Sequence, residues 1–163
     1  MRWFAGRGWT PRPHQLELLA HARAGRDSLL IAPTGAGKTL AGFLSTLVEL
    51  AAAPRGESEG IHTLYVSPLK ALAVDVARNL ERPVSEMGLG VRIEGRTGDT
   101  PASRRQRQKR QPPDILLTTP EQVALLIGDP GAAKLFETVR RVVVDELHAL
   151  SPTKRGDQLA LAL

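Results

Sequence analysis

A mostly parallel α/β sheet with helices on both faces is the fold class this sequence predicts, on three observations. Short apolar runs alternate with helix-patterned segments along the chain. The runs are apolar throughout instead of alternating with polar residues, as strands buried on both sides are. One run passes through a turn of small residues into a helix, the local form of a phosphate-binding loop.

In chain order, a helix is expected over residues 13–24, then a strand over 28–32 (SLLIA) and a helix over 39–52. Residues 51–60 (AAAPRGESEG) read as a helix end entering a polar surface loop, with 55–59 its mobile part. Strands follow at 62–66, 91–94, 115–118 and 141–144, with helices over 69–81, 101–109 and 121–127 between them. In such sheets ligands bind at the carboxyl ends of the strands, so the loops after strands carry the functional reading. Residues 156–163 begin a helical pattern without a C-terminal stop signal, and the chain is expected to be truncated there.

Composition narrows the class. The 163 residues suit one domain, and 42% hydrophobic with 24% charged is an ordinary globular balance. With no Cys, a disulfide scaffold, a thiolate zinc site and a cysteine nucleophile are excluded. No apolar run is long enough to span a bilayer, and the first residues lack a signal-peptide pattern, so a cytoplasmic protein with no membrane partner is expected. The charge is localised: residues 92–111 hold seven basic and two acidic side chains, a net +5 that equals the formal charge of the whole chain. Such a patch attracts polyanions, nucleic acid first among them, although Arg104–Arg110 alone reads equally as a solvated helix face.

Two motifs carry the chemistry. Ala32-Pro33-Thr34-Gly35-Ala36-Gly37-Lys38-Thr39 follows a strand and opens a helix, with Ala32 in place of the usual first glycine. Small residues let successive N–H groups wrap a phosphate, Lys38 would reach the outer phosphates, and the Thr39 hydroxyl would ligate Mg2+. About a hundred residues later Val142-Val143-Val144 delivers Asp145 and Glu146 at the end of a buried strand. Asp145 is suited to hold Mg2+ through its water shell, and Glu146 to orient or deprotonate the attacking water. His148 gains a functional reading from that pair.

A-P-T-G-A-G-K-T with D-E-L-H resembles motifs I and II of the superfamily 2 DExH-box helicases. Residues 65–80 (YVSPLKALAVDVARNL) and 95–100 (GRTGDT) are similar to the Lhr-like (large helicase-related) family, and residues 3–15 to its ligase-associated bacterial branch. The resemblance implies a RecA-like P-loop NTPase domain: residues 1–163 as the first lobe of a 3′-to-5′ DNA helicase or translocase, ending before motif III. It implies ATP and Mg2+ as cofactors, and single-stranded or partly duplex DNA as partner, with RNA the alternative. A second RecA-like lobe bearing an arginine finger, and C-terminal domains, are the implied further partners. A DNA-repair role and a nucleoid-associated place in a bacterial cytoplasm come with the same likeness.

By resemblance Gln15 selects adenine, since a carboxamide offers a donor and an acceptor together. Trp3, Phe4 and Trp9 are three candidates for stacking on the base. Ser67-Pro68-Leu69-Lys70 and Thr118-Thr119-Pro120-Glu121 each lead a strand into a helix, with Ser67 as N-cap and Pro68 at the first helical position. By resemblance they are motifs Ia and Ib, which assigns Pro68, Lys70, Thr118, Thr119 and Pro120 to a nucleic-acid backbone. Arg96, Thr97 and Gly98 join them through the GRTGDT match, and His148 would couple the two sites. His14, His21 and His62 share no metal-like spacing. Two other classes stay open. A small-molecule P-loop kinase would need a phosphoacceptor pocket, and a switch GTPase an Asn-Lys-x-Asp segment that is absent. A non-catalytic nucleic-acid-binding helicase fragment is the remaining alternative.

Overall fold

The computed structural model describes residues 2–33, 35–53 and 60–163. The chain divides into two compact units: Met1–Pro54 with Arg82–Gly90, and Arg55–Glu81 with Val91–Leu163. Thr34 and the loop expected over 55–59 lie outside the described residues.

In the first unit α1 (Arg2–Gly6) and α2 (Pro13–Arg23) precede α3 (Lys38–Ala52), and α2 packs on α3. Pro13 opens α2, where its missing N–H costs nothing. Phe4, Leu19 and Leu44 form a buried cluster, with Trp3, Leu40 and Val48 packed against it. Residues 28–32 correct the expectation of a strand, for they carry none. Leu29 is 70% and Ile31 88% exposed, so this apolar run has neither ladder bonds nor a covered face. An apolar run becomes a strand only where a sheet edge takes its N–H and C=O groups.

The second unit is built on a four-stranded sheet ordered β2-β3-β1-β4, from β1 (Thr63–Val66), β2 (Ile93–Arg96), β3 (Ile115–Thr118) and β4 (Arg141–Val144). Every pairing is parallel. All four residues of both β1 and β3 are buried, so both faces of the sheet's centre are covered, as apolar unalternating runs require. β3 and β4 match the expected bounds, whereas β2 starts two residues late. Its Arg92 N–H is taken by the Asp114 carboxylate at 2.8 Å, which caps the strand before the ladder begins.

Helices α4 (Lys70–Glu86), α5 (Ala102–Arg110), α6 (Pro120–Ile127), α7 (Ala132–Phe136), α8 (Leu147–Leu150) and α9 (Lys154–Ala162) complete the elements. α4 runs past its expected end at 81 and through Pro83, because Val84 beyond the proline is buried. Leu64, Val66 and Leu116 on one sheet face meet Val123, Leu126, Leu135, Leu150 and Leu159 from α6 to α9. α9 starts on Thr153, whose hydroxyl oxygen accepts from the Gly156 N–H at 3.2 Å. A Cβ on Gly156 would collide with the Leu150 carbonyl oxygen and lie 2.8 Å from its carbon, so only glycine lets α9 sit on the end of α8. Gly156→Ala should therefore lower stability by about 1–3 kcal/mol, as overpacking does. Denaturant unfolding followed by circular dichroism checks it, and unchanged stability would mean that α9 docks more loosely than described.

Candidate functional site

The phosphate-loop residues belong to the first unit. Gly35 (φ 78°) and Gly37 (φ 76°) are both left-handed, the region in which L side chains are strained. Gly37 also lies against Gln15: a Cβ there would be 2.9 Å from the Gln15 side-chain nitrogen. The Gln15 Nε2–H donates to the Gly37 carbonyl at 3.3 Å, and its Oε1 accepts from the Arg12 N–H at 2.9 Å. Gln15 is buried, so the loop and the amide form one fixed cradle. The Lys38 ammonium folds back to donate to the Ala32 carbonyl at 3.0 Å, a neutral partner that an anion can displace. Pro33 and Gly35 are exposed, Ala36 is buried, and Thr39 is half-buried in the first turn of α3.

The three aromatic candidates separate. Phe4 is buried in the core cluster, which removes it from any base-stacking surface. Trp3 meets Phe4 edge-on at 5.0 Å, and its indole N–H donates to Glu86 at 2.9 Å. Trp9 is exposed, edge-on to Trp3 at 5.8 Å, with the Arg7 guanidinium 5.0 Å from its ring centre. Hydrogen bonds from Arg7 and then Trp3 hold the Glu86 carboxyl down at about 2, well below the ordinary 4.5.

The carboxylate pair belongs to the second unit. The Asp145 N–H donates to the Val66 carbonyl at 2.9 Å, which carries the β1–β4 ladder one residue beyond β4. Its Oδ2 accepts from the Tyr65 hydroxyl at 2.5 Å, and its Oδ1 from the Glu146 N–H at 2.9 Å. Burial first, then the bond and charge of Asp145, push the Tyr65 hydroxyl far above its usual range, so it stays a proton donor. Glu146 is left-handed (φ 50°), the sole non-glycine with positive φ among the described residues, and it caps α8. Such a conformation costs of order 1–3 kcal/mol and persists where the surroundings impose it. The Glu146 Oε2 lies 3.2 Å from His148 Nε2, and the His148 side chain is otherwise largely in solvent.

Because the sheet is parallel, the loops after β1, β2 and β3 share one edge with Asp145. Sequence reasoning missed how they are tied together. Lys70 pairs with Asp99 at 2.8 Å, joining the loop after β1 to that after β2. The Arg155 guanidinium donates to the Pro68 carbonyl at 2.7 Å and pairs with Glu121, joining the loop after β1 to the start of α6. The Thr118 hydroxyl donates to the Arg96 carbonyl at 2.8 Å. The Thr97 N–H donates to the Thr100 hydroxyl at 2.8 Å, closing the turn at exposed Gly98. Thr118, Thr119, Pro120 and Arg96 are buried, backbone and side chain alike. Pro68 stands before α4, which begins at Lys70, two residues after the expected first helical position. Ser67 still serves the helix start, accepting from the Leu69 N–H at 3.4 Å.

The basic stretch is internally paired. Arg104 and Arg107 both reach Glu94, at 3.3 and 2.8 Å, and Lys109 pairs with Asp129. Burial works to raise the Glu94 carboxyl, but hydrogen bonds from Gln108, Arg107 and Arg104 outweigh it and hold it below the usual range. Arg105 donates to the Thr100 and Gly98 carbonyls at 2.7 and 2.6 Å, so it braces the turn after β2. The face is still net positive, yet Arg104, Arg105, Arg107 and Lys109 are anchored instead of free.

The sequence pattern of the DEAD/DEAH box helicases matches residues 12–163, and the chain belongs to that family. Within it, the chain is 44% identical over 171 residues to an Lhr helicase/probable uracil glycosylase of Mycolicibacterium smegmatis. It is 40% identical over 173 residues to ATP-dependent helicase Lhr-Core protein 2 of Thermococcus barophilus. Both alignments take in 99% of this chain, but only 11% and 20% of those relatives' lengths. Among solved structures, M. smegmatis Lhr bound to ssDNA and AMP-PNP superposes with a TM-score of 0.88 at 40% identity, covering 99% of this chain and 21% of that one. The helicase MrfA bound to DNA and AMPPNP follows at 0.80 and 29%, covering 91% of this chain and 20% of that one. No helix among the described residues is long and apolar enough to cross a membrane.

The Glu86 cluster gives a pH prediction. Its carboxyl is depressed in the folded state, so its stabilising pairs are fully present above about pH 4.5 and fade as pH falls towards 2. Wild type and Glu86→Gln should therefore differ in stability by a constant amount above pH 4.5 and converge below it. Paired unfolding curves from pH 2.5 to 7 read this out, and a gap that stays constant to pH 2.5 would contradict it.

Proposed function

We propose that this chain is the ATP-binding, first RecA-like lobe of a 3′-to-5′ DNA helicase or translocase similar to the Lhr helicases. One observation carries the reading: β4 brings Asp145 and Glu146 to the same sheet edge as the three loops after β1, β2 and β3. By the family likeness, phosphate binding falls to the Gly37–Gln15 cradle of the other unit. The 3′-to-5′ direction and a DNA-repair role rest on the family likeness, and with them a nucleoid-associated place in the cytoplasm.

In this reading the backbone N–H groups of residues 34–37, after Pro33, hold the phosphates of ATP. Lys38 exchanges the Ala32 carbonyl for a phosphate oxygen. Gln15 uses its carboxamide on adenine, and Trp9 is the exposed ring that can stack on it. Thr39 and Asp145 serve Mg2+, which when bound neutralises charge developing on the phosphate oxygens. The donor set fits that ion. Each Asp145 oxygen accepts one hydrogen bond here and keeps acceptor capacity for a metal-bound water. No cluster of three acidic or histidine ligands exists among the described residues, as suits a metal held largely by phosphate and water.

Glu146 orients the attacking water and takes its proton. His148, 3.2 Å from that carboxylate, passes the state of the ATP site to the nucleic-acid loops. Lys70, Thr97, Gly98 and the loops that hold Pro68, Arg96, Thr118, Thr119 and Pro120 follow a strand's phosphates without reading its sequence. Full turnover then needs a second lobe, whose arginine finger is worth about 10³ to 10⁵ in rate.

In the full-length protein Glu146→Gln should keep ATP binding while hydrolysis falls about 100-fold or more, and Lys38→Ala should weaken both. Steady-state ATPase and nucleotide-binding assays measure it. Wild-type turnover by Glu146→Gln would refute the role assigned to the pair.

A further inference from the structure

Tyr65 lies outside every motif residue assigned above, yet its hydroxyl touches the carboxylate most central to the site. The geometry follows from strand periodicity. β1 and β4 pair in parallel with Tyr65 opposite Val143 and Val66 opposite Val144. Side chains two apart on a strand share a face, so Tyr65, Ser67, Val143 and Asp145 all lie on one side of the sheet. A tyrosine two residues back from the carboxyl edge is long enough to bring its hydroxyl to that edge, and it does so at 2.5 Å from Asp145 Oδ2.

The contact has further neighbours: the Leu69 N–H donates to the Ser67 hydroxyl oxygen at 3.4 Å, and Ser67 lies on the same sheet face as Tyr65 beside its hydroxyl. Tyr65 donates to Asp145, whose other oxygen receives the Glu146 N–H. On one side is the loop before α4, which Lys70–Asp99 and Arg155 tie to the neighbouring loops. On the other is the left-handed Glu146. Tyr65 is 2% exposed, so water does not compete for its hydroxyl. Its ring sits in a covered sheet centre where phenylalanine would pack equally well. Packing alone therefore does not call for an oxygen there.

We propose that Tyr65 is a positioning residue: its hydroxyl, beside Ser67, fixes the Asp145 carboxylate and mechanically joins it to the Ser67–Lys70 loop. The inference rests on the reading of Asp145 as a carboxylate that serves Mg2+ and nucleotide. In this proposal a shift of the loop before α4 would alter the Ser67 contact and, through Tyr65, the aim of Asp145.

The 163 residues hold one tyrosine, so 3-fluorotyrosine labelling of this chain gives one ¹⁹F resonance, and in the full-length protein the resonance missing from Tyr65→Phe identifies it. It should shift on adding ADP with Mg2+ and stay in place with ADP in EDTA. A single-stranded oligothymidine should also shift it, and Ser67→Ala should abolish that second response. Tyr65→Phe should weaken Mg2+-dependent ADP binding about tenfold, the scale of one hydrogen bond to a charged acceptor, while leaving binding in EDTA unchanged. A merely structural tyrosine would instead lower thermal stability and both affinities together, and that outcome overturns the proposal. Asp145→Asn separates the two levels. If it loses Mg2+-dependent affinity while Tyr65→Phe retains it, the positioning role fails and the reading of Asp145 stands. If Asp145→Asn binds as wild type does, that reading fails and takes the proposal with it. Should Tyr65→Phe not fold, the ¹⁹F shifts decide, and a resonance insensitive to Mg2+ and oligonucleotide contradicts the proposal.

Discussion

Parallel pairing of β1 with both β3 and β4 is the constraint on which the functional half of the second unit depends. In a parallel sheet every strand ends at the same edge, so residues far apart in sequence are delivered together without any contact designed for the purpose. Asp145, the Ser67–Lys70 loop, the turn at Gly98 and the start of α6 are neighbours for this reason. The central strands buy that arrangement with complete burial: eight residues of β1 and β3 are covered on both faces, and their backbone groups are satisfied by the ladder.

On this frame the ion pairs act mainly on position. Lys70–Asp99 and Arg155–Glu121 involve side chains that are substantially exposed, and such pairs contribute about 0–1 kcal/mol each. Their placement matters more than their strength. Arg155 spans two loops, Lys70 spans two, and Arg105 holds the turn after β2 by two carbonyls. Each is a cation held at the sheet edge by partners on neighbouring loops, and in the proposed reading a nucleic-acid phosphate would take the place of such a partner.

The fold was legible where burial sets the pattern. Strand 115–118 is recognisable because its continuous apolar run lies between covered faces, whereas 141–144, read as a buried strand, is an edge strand with Val142 40% exposed. Residues 28–32 have the same look and form no strand, because apolarity cannot say whether a partner edge is present. The helix over 156–163 began legibly, but its start on Thr153 and its dependence on Gly156 come from a backbone contact with Leu150. Among the candidate residues, the loop glycines of the first unit and the Asp145-Glu146 pair of the second announce themselves by residue type. Tyr65, Arg155 and the clamp on Glu94 do not, since each depends on which residues a parallel register sets side by side. A Tyr two positions before Ser67 on a strand parallel to the one bearing Asp145 was the available signal, and it is readable only once the register is known.

Hydrogen exchange tests the central claim, that function is gathered at the carboxyl edge of the sheet. Amide exchange of the chain would be compared free, with Mg2+ and a non-hydrolysable ATP analogue, and with single-stranded DNA added. Protection is predicted at residues 67–70, 96–100, 118–121 and 145–148. Residues 61–63, 112–115 and 139–141 at the opposite edge should exchange as in the free chain. Protection concentrated at the opposite edge, with the loops after the strands unaffected, would contradict the account.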